Sequence, residues 1–342
     1  MAGIKLSGLG EFGWLRRLLP RLFWPHSLHP QLCIGPGDDA GVLRISRSRV
    51  LVATTDAMVE GVHFDRRWFP WEYLGEKILA VNLSDLAAMG KVKPLAALVS
   101  AGFPGDTPVD NVDKLYQGLE SCARRWKTGF LGGDTVGSPD RWFLSVTVLG
   151  EADPRQLVRR STARAGDLIA ISGPLGLAAA GLEVLQAGER SRGARRPVWT
   201  APLVEAFFRP QPRFAAAALL AENRWATSLM DSSDGLEASV RILAQASGVG
   251  AEIELEKLPV PKPLSRWAGS RKRPAWEYAL CGGEDYELVF TVHPRNWPFV
   301  HRRLPRAASV GRILPNGRGC WAVSAQKRVP LQGYGFAHFK NR

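Results

Sequence analysis

The chain has 342 residues, 45% of them hydrophobic, which is more than one core usually accommodates and suits two domains. Its 45 Lys and Arg against 32 Asp and Glu give a net charge of +13, which favours anionic partners. Dispersed pairs and one loop carry much of that excess, with no aromatic residues interleaved for base stacking, so nucleic-acid binding is not expected. Four widely spaced cysteines without a CxxC pair indicate free thiols in a reducing compartment. No run is long enough to span a bilayer, and the arginine-broken stretch 15–23 is a poor secretory signal. These features describe a cytoplasmic protein with no membrane partner.

The spacing of Phe12, Leu15, Leu18, Leu19 and Leu22 predicts a helix over 11–24, broken at Pro20. Strands are expected at 42–45 and 50–54, and a loop at 60–64. Residues 71–89 read as a long helix on which Asn82 and Asp85, three apart, share a face. A strand at 95–101, a helix over 108–126 with Pro108 in its first turn, and strands at 128–131 and 142–149 complete a first domain, 1–150.

The second domain, 151–342, opens on a polar connector at 153–166. Strands are expected at 168–172, 228–230, 251–255, 287–292, 310–313 and 320–323. Helices are expected at 177–187, 203–208, 212–221, 236–246 and 296–304, with a helical turn at 276–280. Residues 188–197 read as a solvated basic loop and 259–263 as extended. No clean βαβ period runs through the chain, so the expected class is a two-domain α+β protein rather than a doubly wound α/β one.

One local device recurs: an apolar run stops at small residues and then delivers an acid. Asp38 and Asp39 follow Ile34-Gly-Pro-Gly, and Asp56 follows Val52-Ala-Thr-Thr. Asp85 follows Val81-Asn-Leu-Ser, and Asp134 follows Phe130-Leu-Gly-Gly. Asp231 and Asp234 bracket two serines, and Glu284 with Asp285 follows Cys281-Gly-Gly. A single Asp in a turn ordinarily bonds local backbone, and Asp231 or Ser233 would serve as a helix cap. Caps do not account for every instance. Hard oxygen ligands of this kind suit Mg2+, with the Thr54 and Thr55 hydroxyls adding to Asp56. Paired glycines at 132–133 and 282–283 would let phosphates approach backbone N–H groups. His63, just beyond Asp56, suits either a structural or a binding role. The chain lacks the ordinary P-loop, the protein-kinase motifs, a Ser-His-Asp pattern and zinc-ligand spacing, so any use of ATP follows another design.

Together, Gly37-Asp-Asp-Ala, Thr54-Thr-Asp-Ala-Met-Val-Glu-Gly-Val-His-Phe, Ala80-Val-Asn-Leu-Ser-Asp-Leu-Ala-Ala-Met-Gly, Gly132-Gly-Asp-Thr, Asp231-Ser-Ser-Asp-Gly-Leu and Gly282-Gly-Glu-Asp-Tyr-Glu-Leu resemble the thiamine-monophosphate kinase family. The resemblance spans nearly the whole chain. It implies an N-terminal domain whose mixed sheet forms a barrel across a homodimer, beside a C-terminal α+β domain. It implies transfer of phosphate from ATP to thiamine monophosphate with several Mg2+ ions. The implied metal ligands are Asp39, Thr54, Thr55, Asp56, Asp85, Asp134, Asp231 and Asp234. Gly133, Asp134, Arg160 and Ser233 would hold ATP, with Tyr116 against its base. His63, Glu284 and Phe336 would hold the thiamine moiety, Phe336 being preferred to Tyr334 in the Gly335-Phe-Ala-His-Phe tail.

The acceptor would be a phosphate already ionised at neutral pH, so direct in-line transfer needs no strong base and no catalytic base is assigned. Two readings compete: another ATP-using member of the superfamily such as selenophosphate synthetase, suggested by Cys33 near the acidic turn, and a basic nucleic-acid-binding protein with structural Mg2+.

Overall fold

Residues 71–88 are apolar on nearly all sides, a pattern that suits a helix buried all round. The computed structural model, which describes residues 5–22, 29–190, 197–325 and 327–331, builds both domains around that helix. In chain order the first half contains α1 (Leu6–Leu22), β1 (Leu32–Ile34), β2 (Gly41–Arg44), β3 (Val50–Val59), α2 (Trp71–Ala88), β4 (Gly90–Phe103), α3 (Val109–Trp126), β5 (Gly129–Gly137) and β6 (Phe143–Leu157). The second half contains β7 (Leu168–Ile171), α4 (Leu177–Arg190), α5 (Ala201–Phe208), α6 (Phe214–Glu222), β8 (Ala226–Asp231), α7 (Leu236–Ser247), β9 (Gly250–Glu254), α8 (Lys262–Ser270), α9 (Ala275–Cys281), β10 (Leu288–Val292), α10 (Trp297–Arg303), β11 (Ala308–Leu314), β12 (Cys320–Val323) and β13 (Arg328–Pro330).

The first sheet has the order β1-β2-β3-β6-β4-β5, antiparallel except for the parallel β4–β5 pair. Strand alternation sends Val50, Val52, Leu144, Val146, Ala97 and Val99 inward, where α2 and α3 cover them. α2 and α3 cross at reciprocal glycines. A Cβ on Gly75 would lie 1.9 Å from the Leu115 carbonyl oxygen, and one on Gly118 would lie 1.9 Å from that of Glu72. The opposite sheet face carries exposed Leu43 and Leu98, and every residue of the edge strand β5 is exposed.

The second sheet has the order β13-β12-β9-β11-β7-β10-β8, antiparallel except for β12–β9. One of its faces packs Ile169, Ile171, Met230 and Val289 against α7 residues Leu236, Val240 and Leu243. The other packs Ala170, Leu229 and Phe290 against α6 and against Ala87 and Ala88 of α2. That last cluster joins the two domains, and it sets β8, with Asp231 at its end, beside α2.

Several sequence expectations change. The N-terminal helix runs through Pro20 to Leu22, and its break falls at Gly10, whose φ of 65° and ψ of 174° are not helical. The connector at 153–166 is shorter than expected, because β6 continues to Leu157 in register with β4. The stretch 259–263 is not extended throughout: α8 begins at Lys262 with Pro263 in its first turn, a position where the missing N–H has no helical partner. Among the described residues the first sheet is an open one, with no closed barrel in the single chain.

Candidate active site

Three aspartates far apart in sequence meet where the last turns of α2 pass the middle of β3 and the end of β8. Each of Asp39, Asp85 and Asp231 offers a carboxylate oxygen, and those oxygens lie within 4.8 Å of one another. Donors from both domains orient them. Thr54 Oγ1 donates to Asp85 Oδ2 at 2.7 Å, and Ser84 Oγ donates to Asp231 Oδ2 at 2.6 Å. Arg160 Nη2 lies 2.7 Å from Asp39 Oδ1, and its Nε lies 3.4 Å from Asp38 Oδ1. Asn82, one turn from Asp85, accepts the Asp56 backbone N–H at 2.9 Å and donates to the Ile78 carbonyl at 2.8 Å. The shared helix face read from Asn82 and Asp85 therefore locks β3 to α2.

Burial and mutual repulsion raise the proton affinity of these acids. Burial pushes Asp39 up to about 8, with Arg160 opposing and Asp231 and Asp38 adding. It pushes Asp56 to about 6 with help from Glu284, and Asp231 to about 6 against the Ser84 hydroxyl. Asp85 is raised well above the usual carboxylate range by burial and by Asp56, Asp231 and Asp39. Packed carboxylates of this kind are costly without a cation among them. Asp39 Oδ2 is moreover buried with no hydrogen-bond partner, an acceptor left over within the cluster. A donor set of carboxylates and a threonine hydroxyl fits Mg2+.

Two adjoining cavities open beside the acids and share His63, Ser233, Asp234 and Glu284. One, of about 220 Å³, is lined in addition by Asp56, Asp85 and Tyr286. The other, of about 120 Å³, is apolar, with walls from Val62, Ala179, Leu182 and Phe207. The His63 ring accepts the Val59 N–H through Nδ1 at 3.0 Å, which fixes its orientation at the junction. The Glu284 N–H donates to the Ser233 carbonyl at 2.6 Å, tying the 282–286 loop to the Ser-Ser turn. Glu284 and Tyr286 both take positive φ, 71° and 50°, where side chains are rarely found. Such backbone strain concentrates at working sites.

The expected residues divide into two groups. Asp39, Thr54, Asp56, Asp85, Asp231, Asp234, Arg160, Ser233, His63 and Glu284 converge on the cluster and its cavities. Arg160 is held by acids of the turn rather than extended into open space. Thr55 faces the other side of β3, as period-two alternation requires, and its hydroxyl meets Thr147 Oγ1 at 3.0 Å. Gly133 and Asp134 stand on β5, three strand spacings from β3, which is about 14 Å at about 4.8 Å each. Gly133 has a packing reason of its own, since a Cβ there would lie 1.9 Å from the Val99 carbonyl oxygen. Tyr116 is exposed on α3. Phe336 and Tyr334 lie outside the described residues. Cys33, which prompted a rival reading, packs on the first core with Sγ 3.5 Å from the Gln31 carbonyl.

Comparison with known proteins decides the family. Residues 37–152 match the model for AIR synthase related protein, N-terminal domain, and residues 164–319 match that for the C-terminal domain. The thiamine-monophosphate kinase of Bacillus subtilis (strain 168) is 34% identical, over 97% of this chain and 100% of the relative. The chain belongs to the thiamine-monophosphate kinase family. The structure of AaThiL complexed with AMPPCP and TMP superposes with a TM-score of 0.84 at 33% identity, covering 99% of this chain and 100% of that one. Hydrogenase maturation protein HypE in complex with ATP shares the fold, at a TM-score of 0.68 and 16% identity over 97% of this chain and 96% of that one.

Two residues of this thiamine-monophosphate kinase family site, Ser84 and Lys77, escaped sequence reasoning, and one, Asp285, was read among the recurring acids but takes a structural role. Ser84 reads as an ordinary helix serine until the second domain packs against it. Asp285 is buried, accepts the Gly176 and Ala178 N–H groups at 2.5 and 3.0 Å, and so holds the start of α4. Burial pushes it up to about 7 against those two bonds. Lys77 sits in α2, a helix buried on nearly all sides, and is itself wholly buried. A lysine within Leu74-Gly-Glu-Lys-Ile-Leu-Ala-Val was the available signal, since buried lysines need a partner.

Proposed function

We propose that this chain transfers the γ-phosphoryl group of ATP directly to the phosphate of thiamine monophosphate, giving ADP and thiamine diphosphate. A new P–O bond forms from the acceptor phosphate oxygen, and the bond between the γ-phosphorus and the β,γ-bridging oxygen breaks. The observation that carries the reading is the convergence of Asp39, Asp85 and Asp231 beside a cavity that is acidic at one end and apolar at the other. The family's relatives supply the substrates: the matched AaThiL structure is described with an ATP analogue and TMP.

The chain's own part is positioning. Asp39, Asp85 and Asp231, with Thr54, Asp56 and Asp234, would hold Mg2+. Bound there, Mg2+ would supply positive charge that offsets the repulsion between the two phosphates. Thr54 and Ser84 fix the rotamers of Asp85 and Asp231 by hydrogen bonds, and Asn82 fixes the backbone at Asp56. Arg160 keeps Asp38 and Asp39 together and stands ready to meet phosphate charge. Val62, Ala179, Leu182 and Phe207 enclose the thiamine rings, with Glu284 as the anion facing them. The acceptor oxygen is already ionised, so no side chain is assigned as base.

The working unit is a homodimer in this proposal. β5 is an open edge carrying Phe130, Leu131 and Val136 at 45%, 64% and 53% exposure, and such an edge invites pairing with another chain. Pairing two first sheets there would close the barrel expected across the dimer. The ATP and metal roles assigned to Gly133, Asp134 and Tyr116, and the metal role of Thr55, depend on that second copy, because in one chain these residues stand apart from the acids. All four cysteines are free thiols, which agrees with a cytoplasmic location, and no described helix is long and apolar enough to cross a membrane.

A coupled ADP-release assay with Mg2+, with and without thiamine monophosphate, tests the reading. ADP release that requires thiamine monophosphate and yields thiamine diphosphate supports it. Equal release without the acceptor, or none with it, rejects it.

A further inference from the structure

Lys77 is 0% exposed, on the α2 face turned toward the second domain, and two residues that line the apolar cavity, Glu284 and Phe207, meet at its ammonium. Its Nζ lies 2.5 Å from Glu284 Oε2 and donates to the Phe207 carbonyl at 2.8 Å. It also stands 3.7 Å from the centroid of the Phe207 ring, the ring that lines the cavity. Glu284 keeps 30% of its side chain exposed while Oε2 is buried against the lysine.

A purely structural reason for this ion pair is weak. Burying a lysine is costly, and an apolar residue of equal length would fill the same space at no such cost. Burial lowers the Lys77 proton affinity, and the Glu284 carboxylate acts against that shift. The carboxylate that Lys77 grips is carried on a backbone of positive φ and aimed into a cavity of about 120 Å³. What the lysine does is fix one oxygen of Glu284, so that the rest of the carboxylate has a single orientation.

We propose that Lys77 is a positioning residue for the ring end of the acceptor. It holds the Glu284 carboxylate and the Phe207 wall in the geometry that receives a cationic aromatic ring bearing an amino donor. This rests on the thiamine monophosphate reading above, and it adds a residue of the first domain to a pocket otherwise built largely from the second. Lys77 touches no phosphate and belongs to none of the acid-binding roles, so its effect falls on one substrate only.

The test is steady-state kinetics on the full chain with Lys77→Met, Lys77→Gln, Glu284→Gln and the Lys77→Met/Glu284→Gln double variant. Lys77→Met should raise KM for thiamine monophosphate at least tenfold while KM for ATP stays within twofold and kcat falls less than KM rises. Lys77→Gln, which keeps a donor to both oxygens, should recover part of that loss. The losses of the two single variants should be less than multiplicative in the double variant, because the lysine acts mainly through the glutamate and only in part through the Phe207 wall. An unchanged KM for thiamine monophosphate in folded Lys77→Met overturns the proposal. So do fully multiplicative losses in the double variant, an equal rise in both KM values, or failure of both Lys77 variants to fold. Wild-type protein that shows no acceptor-dependent ADP release rejects the functional reading instead, which separates the two failures.

Discussion

The Ser84 hydroxyl donates to Asp231 Oδ2 at 2.6 Å, so a helix of the first domain and a strand end of the second share one bond at the centre of the acid cluster. Hydrogen bonds to a charged acceptor contribute about 1.5–3 kcal/mol, and groups that orient metal ligands alter affinity about 10–100-fold. Ser84→Ala should therefore weaken Mg2+ binding by about 10–100-fold while leaving the secondary structure intact. Calorimetric titration of Mg2+ into wild type and variant measures this, and equal affinities would count against Asp231 as a ligand.

Asp85 is the acid most crowded by others, with its carboxyl raised by burial and by three neighbouring aspartates. Removing its charge relieves that repulsion. Asp85→Asn should raise the metal-free melting temperature by about 2–4 °C, the shift about 1 kcal/mol produces in a domain of this size. The same variant should lose turnover by at least about 10³-fold, as the loss of a stabilising group worth about 4 kcal/mol would cause. Scanning calorimetry and the ADP assay read the two effects separately.

The acid cluster also sets a pH dependence. Asp39, Asp56 and Asp231 have folded values of about 8, 6 and 6, above their ordinary 3.8. Between those limits the folded chain binds more protons than the unfolded one, so unfolding free energy falls as pH rises. Metal-free protein should thus melt at progressively lower temperature from pH 4 to about 8, the upper end being set by Asp39. Saturating Mg2+ should flatten the slope, because a bound cation favours the ionised carboxylates and so removes the excess protons held by the folded state. A melting temperature that rises over this window without metal would contradict the assignment.

At the open edge, Leu131→Asp or Val136→Asp places a charge on β5, where a second copy is proposed to pair. Light scattering should show a monomer in place of a dimer. Turnover should fall with it, because Asp134 and Gly133 lie on the same strand. A monomeric wild type would dismiss the dimer, and a monomeric variant of full activity would dismiss the roles of those two residues.

Much of this was legible in the sequence, for physical reasons that differ by element. α2 was readable because Leu74, Ile78, Val81 and Asp85 fall on adjoining helical turns, and the start of β3 because residues 50–54 are apolar and β-branched. The observed strand runs on to Val59, and its alternation places Thr54 and Asp56 on one face. The same alternation, applied one residue further, sends Thr55 to the other face, and the motif alone did not convey that. The recurring stop at small residues and an acid drew attention to Asp39, Asp85 and Asp231, which the fold brings within reach of one ion. α8 was hidden because three prolines at 259, 261 and 263 suggest extended chain, although Pro263 is acceptable in a first helical turn. Lys77 and Ser84 were silent because their partners, Glu284 and Asp231, are more than a hundred residues away and meet them only when the domains pack.

The most direct test of the central claim, that distant carboxylates gather to hold metal for the meeting of two phosphates, is calorimetric titration of Mg2+ into wild type and Asp85→Asn at the same pH. The account predicts saturable binding in the wild type that is abolished or greatly weakened in the variant. Equal binding by the two proteins would contradict it.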